Sequence, residues 1–287
     1  MTDSSNAYAK INLSLDILSK MDDGYHNIQT VMQSITLCDE IVVECKPGNG
    51  VTVETNLPYL PRDERNIAAK AAMEFYEYAG ISGYMTSINI RKRIPVCAGL
   101  GGGSADGACI LHILNRLFET NLSSLTLQEI GASFGSDVPF CVVGGTMLAE
   151  GRGERLTMLP SIPLCYVVVC KPSFSCSTPE LFRLIKCDKI RARPDTAGII
   201  SALEHSDLKG VAQRMYNVFE DVLPRGVREI DDIKYVLLDN NALGAVMTGS
   251  GPSVIGLFSG RDDALSAHGR LASSYRDCFL CETIGDS

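Results

Sequence analysis

Residues 99–103 read Gly-Leu-Gly-Gly-Gly, and four glycines in five positions constrain this chain more than any other segment. Most of that loop has no side chains, so its backbone N–H groups can approach a polyanion closely and point at it together. Upstream, Thr86, Ile88, Ile90, Lys92 and Ile94 alternate with polar or charged neighbours, which reads as a half-buried strand. Downstream, Ile110, Ile113, Leu114 and Leu117 follow helical spacing. A strand, a glycine loop and a helix N-terminus in that order form an anion site. The segment reads as a phosphate cradle; the plainer alternative is a tight turn without a ligand. The P-loop pattern fails because no Lys-Ser or Lys-Thr follows the glycines. The dinucleotide fingerprint of a nicotinamide dehydrogenase fails too. Ser104 takes its last glycine position, and Glu119 follows a helix instead of ending a second strand.

A chain of 287 residues suits one large or two modest domains. Its 26 basic and 34 acidic residues give a net charge of −8, which weighs against nonspecific binding to nucleic acid or anionic membranes. Met1–Asn6 has neither basic residues nor an apolar run, so no secretory or organelle signal is expected. No uncharged apolar stretch approaches the roughly 18 residues of a membrane helix. Eleven cysteines are then expected as reduced, mostly buried thiols of a cytoplasmic protein. Cys278-Phe-Leu-Cys281 has no second pair, and no metal ligand set is assigned.

Alternation over residues 7–17 predicts a strand that places Lys10 and Asn12 on one face, about 7 Å apart. Strand-like stretches follow near 28–45 and 50–55, with residues 46–50 read as a hairpin turn. A helix is expected over 68–79, closed by Gly80, and Thr126 with Glu129 suits a capping box. Gly135-Ser136-Asp137-Val138-Pro139 reads as a helix start. A strand should carry the chain from Gly145 to about 158, and Pro160 and Pro163 mark the expected domain junction. Beyond it, residues 166–170 read as a central strand. Helices are expected around 179–187, 196–205, 207–221 and 224–238, the third with the clearest apolar stripe: Leu208, Val211, Ala212, Met215 and Phe219. Strands at 243–248 and 253–258, a helix at 262–275 and a strand at 278–283 complete an α+β pattern like that of a ferredoxin-like domain.

Phosphoryl transfer requires a held triphosphate and an in-line hydroxyl relieved of its proton. Asp137 and Lys10 are the candidates for the second task, since a lysine keeps a neighbouring carboxylate ionised and ready as a base. Their plainer readings are a helix N-cap and a surface lysine. Tyr25-His26 offers a stacking face and a base-edge hydrogen bond, or is an ordinary turn pair.

Together these segments resemble the GHMP small-molecule kinases. Pro95–Asp106 resembles their P-x-x-x-G-L-G-G-G-S loop, and Met247–Gly251 their third motif. Ala9–Leu13, Asp23–His26, Gly135–Pro139 and Gly151–Glu154 are similar to segments of the branch whose substrate is a cytidylyl-linked erythritol derivative. The resemblance implies a two-domain α+β fold: residues 1–160 ribosomal-protein-S5-domain-2-like, and 161–287 ferredoxin-like. It implies direct transfer from ATP, with Mg²⁺, to the 2-hydroxyl of that substrate, in isoprenoid precursor synthesis. It implies Lys10 and Asp137 as the catalytic pair. Asn12, Tyr25, His26 and Thr178 would bind the substrate, with Thr178 also reading as an N-cap. Pro95, Gly99, Leu100, Gly101, Gly102, Gly103 and Ser104 would hold ATP, with Asn66 and Lys92 near the adenosine. Gly249, Ser250 and Gly251 would close over the substrate end. Small-molecule partners and a monomer or weak homodimer are expected. The alternatives are a GHMP kinase for homoserine, mevalonate or a sugar, and a non-catalytic sensor of the same fold. Ala105 stands where a second serine is common, leaving Ser104 as the hydroxyl available to magnesium. Gly107 stands where alanine is common.

Overall fold

A computed structural model of the chain describes residues 1–223 and 228–285. The chain forms two compact units that interleave in sequence. One comprises residues 1–9, 37–96 and 101–143; the other comprises 10–36, 97–100 and 144–287. Two long strands, β1 (Thr2–Lys20) and β2 (His26–Pro47), contribute to both.

In the first unit, β2 pairs antiparallel with β4 (Tyr84–Arg91), and β4 pairs in parallel with β3 (Gly50–Thr55). Residues 46–50 are therefore not a hairpin turn: β4 lies between β2 and β3. The 13-residue helix α1 (Ile67–Ala79) supplies the crossover that a parallel β3–β4 pair requires. Asn66 caps it, and Gly80 closes it at φ 64°. Helices α2 (Gly102–Leu117), α3 (Ser124–Ala132) and α4 (Val138–Val143) complete the unit. The cap of α3 is Ser123, whose hydroxyl accepts from the Thr126 N–H, one turn ahead of the expected box. Gly107 has a packing reason: a Cβ there would sit 3.0 Å from both Ile67 and Phe134.

In the second unit, β2 pairs antiparallel with β5 (Thr146–Gly151), which pairs with β6 (Arg155–Met158). The single strand expected to residue 158 is thus a hairpin, turned by Gly151 and Gly153 at φ 74° and 113°. A second sheet has the order β11-β7-β10-β9, all antiparallel, from β7 (Tyr166–Lys171), β9 (Gly244–Met247), β10 (Val254–Phe258) and β11 (Asp277–Glu282). Counted along the chain this is order 4-1-3-2, the ferredoxin-like arrangement expected, with β7 central. Of the helices α5 (Thr178–Leu184), α6 (Thr196–Glu204), α7 (Leu208–Gln213), α8 (Arg228–Asp239) and α9 (Arg261–Ala272), α8 packs against β9 and β10, α9 against β7, β10 and β11, and α7 against β9, while α6 packs on α7 and α5 on residues 218–222. The expected start of α8 at 224 lies outside the described residues.

The stripe over 207–221 misleads: α7 stops at Gln213. The chain then forms the short strand β8 (Tyr216–Asn217), parallel to β1 at Ser14 and Leu15, and a 3₁₀ turn over Val218–Val222. Asn217 explains the break, because its Nδ2 donates to the carbonyls of Met247 and Gly249. Two buried hydrogen bonds outweigh the small loss of ending a helix. Among the described residues no helix is long and apolar enough to cross a membrane.

Candidate active site

In the second unit β1 is buried on both faces. Its apolar set, Ala9 to Ile17, was expected inside; its polar set is inside as well, with Lys10 only 4% and Asn12 3% exposed. A surface lysine is thereby excluded. Buried polar groups must find partners, and here they find each other. Lys10 Nζ donates to Asn12 Oδ1 (2.7 Å), and Asn12 Nδ2 donates to Thr30 Oγ1 (2.7 Å). The Asn12 N–H donates to Thr248 Oγ1 (2.8 Å), in the turn after β9.

The first half of the glycine loop joins this cluster. The Lys10 N–H donates to the Leu100 carbonyl (3.0 Å). A Cβ on Gly99 would lie 2.1 Å from the Thr248 carbonyl oxygen, and one on Gly249 would lie 2.8 Å from the Gly99 carbonyl. Two backbones meet here at a distance only glycine allows, and both glycines have positive φ, 77° and 57°. Gly99→Ala is expected to lower the unfolding free energy by more than the ~1–2 kcal/mol of the left-handed backbone alone. Urea denaturation measures it, and an unchanged midpoint would show that the loop relaxes freely. Thr178 is the first residue of α5, not its cap; its hydroxyl bonds Ser250 Oγ (2.7 Å). Thus Lys10, Asn12, Gly99, Leu100, Thr178, Gly249, Ser250 and Gly251 come together within one unit.

Tyr25 and His26 belong to the same unit. Tyr25 is 56% exposed. The His26 ring stacks on Phe182 of α5, centroids 5.0 Å apart, and Phe182 packs edge-on against Phe219. Burial, with Lys20's charge adding to it, lowers the His26 pKa, so the ring is neutral at pH 7 with one donor and one acceptor nitrogen. Sequence reasoning missed Phe182, which sits on a helix without a motif of its own.

The first unit holds the rest of the loop. Gly101 precedes α2 and supplies no side-chain cap, so the first N–H groups of α2 have no capping side chain. Gly102 and Gly103 open that helix, and Ser104 Oγ lies 3.8 Å from where a Cβ on Gly135 would stand. Asp137, two residues on, immediately precedes α4, where its carbonyl accepts from the Cys141 N–H. Pro95 lies between the end of β4 at Arg91 and the glycine loop.

The two residues expected near adenosine are otherwise engaged. Asn66 Oδ1 accepts from the Ala68 N–H, and its Nδ2 donates to the Pro61 carbonyl. Lys92 Nζ is buried between Asp39 and Asp106, 2.5 Å from each. Asp39 also accepts from the N–H groups of Arg93 and Ile94, whereas Asp106 Oδ1 has no partner. Burial, opposed by Lys92 and reinforced by Asp39, pushes the Asp106 pKa up to about 8. Burial works against the Lys92 ammonium, but the two acids outweigh it and raise its pKa. A Cβ on Gly102 would stand 3.5 Å from Lys92 Nζ, so this trio ties the strand exit to the start of α2.

A glycine-opened helix, a buried lysine strand and a ferredoxin-like sheet define a small-molecule kinase, and the chain belongs to the GHMP kinase family. The family's N-terminal domain matches residues 66–145 and its C-terminal domain matches 199–277. Over 284 residues the chain is 45% identical to the 4-diphosphocytidyl-2-C-methyl-D-erythritol kinase of Acetivibrio thermocellus, covering 98% of this chain and 99% of that one. The crystal structure of a 4-(cytidine 5'-diphospho)-2C-methyl-D-erythritol kinase superposes with a TM-score of 0.84 at 30% identity, over 99% of this chain and 100% of that one. A homoserine kinase from Cytophaga hutchinsonii, at 19% identity and a TM-score of 0.78 over 99% of this chain and 95% of that one, shares the fold.

Proposed function

We propose that this chain is an ATP-dependent kinase that phosphorylates the 2-hydroxyl of 4-diphosphocytidyl-2-C-methyl-D-erythritol in non-mevalonate isoprenoid precursor synthesis. The observation that carries the reading is the convergence of Lys10, Asn12, Gly99–Leu100 and Thr248–Gly251 in one buried polar cluster. A sensor without catalysis has no use for a buried lysine held by an asparagine.

ATP supplies the γ-phosphoryl group. The residues present suit it: Gly101–Gly103 leave backbone N–H groups without side-chain cover at the start of a 16-residue helix. Magnesium suits a site where the triphosphate provides most of its oxygens, and Ser104 is the loop hydroxyl that would complete it. Asp137 would take the proton from the substrate hydroxyl, and Lys10 would stabilise the negative charge developing on that oxygen. Tyr25 would stack on the cytosine, with the neutral His26 ring hydrogen-bonding its edge. The protein would work in the cytoplasm as a monomer or weak homodimer.

Coupled ADP release tests this, with the cytidylyl substrate, homoserine, mevalonate and galactose compared side by side. Turnover should require the cytidylyl compound. Tyr25→Ala should raise its KM by the ~1–3 kcal/mol of one stacked base, roughly 5- to 150-fold, and leave the KM for ATP unchanged. Preference for homoserine or mevalonate would overturn the substrate; equal losses for both ligands would remove Tyr25 from the base site.

A further inference from the structure

Neither the cradle nor the proton-transfer pair uses the Gly151-Arg152-Gly153-Glu154 turn. Its place in the fold gives it a partner. Ile28 stands opposite Gly151 in the antiparallel β2–β5 pair, so the β5–β6 turn and the Asp23–His26 turn lie at the same end of those strands. Arg152 spans the two. Its guanidinium carbon lies 4.3 Å from the centroid of the Tyr25 ring, and its Nη2 forms an ion pair with Asp23 Oδ2.

Both turns are held by their own contacts. Asp23 Oδ1 accepts from the Tyr25 N–H (2.9 Å), and the Met21 N–H donates to the Tyr25 carbonyl (2.7 Å). On the other side Glu154 Oε2 accepts from the Arg152 N–H (2.6 Å). That carboxylate folds over Gly151 so closely that a Cβ there would meet Glu154 Oε1 at 2.7 Å. The arginine is therefore launched from a stiff turn onto a ring that is otherwise half open to solvent. His26, the next residue, faces inward to Phe182.

We propose that Arg152 is a positioning residue for the base platform: it covers one face of Tyr25 and pins the Asp23–His26 turn, leaving the opposite face of the ring for a pyrimidine. This rests on the role given to Tyr25 above. A planar guanidinium is suited to such a layer, because it stacks on the ring while its edge pairs with a carboxylate. The stack then runs guanidinium, phenol, base. Ordering the ring before the substrate arrives lowers the loss of freedom on binding.

The test compares Arg152→Ala, Arg152→Lys, Tyr25→Ala and the double alanine variant by ADP release, varying the cytidylyl substrate and ATP in turn. Arg152→Ala should raise the KM of the cytidylyl substrate about 3- to 10-fold, with kcat and the KM for ATP within about 2-fold of the parent. Arg152→Lys, which keeps a cation over the ring, should recover part of the loss. In the Tyr25→Ala background, removing Arg152 should add less than about 2-fold, since the two act as one unit. Fully additive losses, equal losses for ATP, or a lower KM in Arg152→Ala would each overturn the proposal; the last would mean the guanidinium blocks the ring. A parent enzyme without cytidylyl-dependent turnover would sink the proposed function and this inference with it. An active parent beside an unchanged Arg152→Ala sinks this inference alone.

Discussion

Asp137→Asn is expected to lower kcat by at least ~100-fold while leaving nucleotide binding intact. The substitution preserves size and shape, and the bond from the Cys141 N–H to the Asp137 carbonyl does not depend on the side chain. What changes is proton affinity: a carboxylate accepts the hydroxyl proton as the phosphoryl group is transferred, and a carboxamide does not. Because the α2 N-terminus and Gly101–Gly103 are untouched, ATP should titrate as in the parent. Single-turnover measurements at saturating substrates separate the chemical step from product release. Near-normal turnover would remove Asp137 from the role of base. A parallel loss of nucleotide binding would place it in the cradle instead.

Much of this arrangement could be read from the sequence, and the failures have physical causes. Strand β3 over Gly50–Thr55 and helix α1 ending at Gly80 follow from local alternation and a left-handed cap, signals carried within a dozen residues. The ferredoxin-like order of β7, β9, β10 and β11 follows from the succession of element types. The expected hairpin at 46–50 failed because two adjacent strands need not pair: β4, arriving after α1, takes the place between them. The stripe from Leu208 to Phe219 failed because two carbonyls in the Met247–Gly249 turn claim the Asn217 side chain, and nothing near Asn217 announces them. At the site, Lys10 and Asn12 were legible as residues on one face of a strand. Their burial was not, because alternation with polar residues ordinarily marks a solvated face. The link between Arg152 and Tyr25 and the one joining Asp39, Lys92 and Asp106 both span long stretches of sequence. Only the register of β2 with β4 and β5 brings those groups together.

Lys92 carries the largest expected effect on stability. It is a single ammonium buried between two carboxylates, all three side chains at most 5% exposed. Replacing it with methionine leaves both acids in a low-dielectric interior without their cation, and breaking such a pair costs about 3–5 kcal/mol. Urea unfolding of Lys92→Met measures this directly. If that variant does not accumulate as folded protein, Asp106→Asn carries the test through pH. Asp106 has a folded-state pKa raised from the ordinary 3.8 to about 8, so between those values the native protein holds a proton that the unfolded chain releases. The native state is therefore favoured most below pH 4, and that contribution is lost as pH rises towards 8. Asparagine keeps an oxygen facing Lys92 and has no proton to lose, so the variant should show a flatter dependence of stability on pH between 5 and 8 than the parent. Identical slopes for parent and variant would mean that Asp106 is ionised throughout, and that Lys92 balances two negative charges alone.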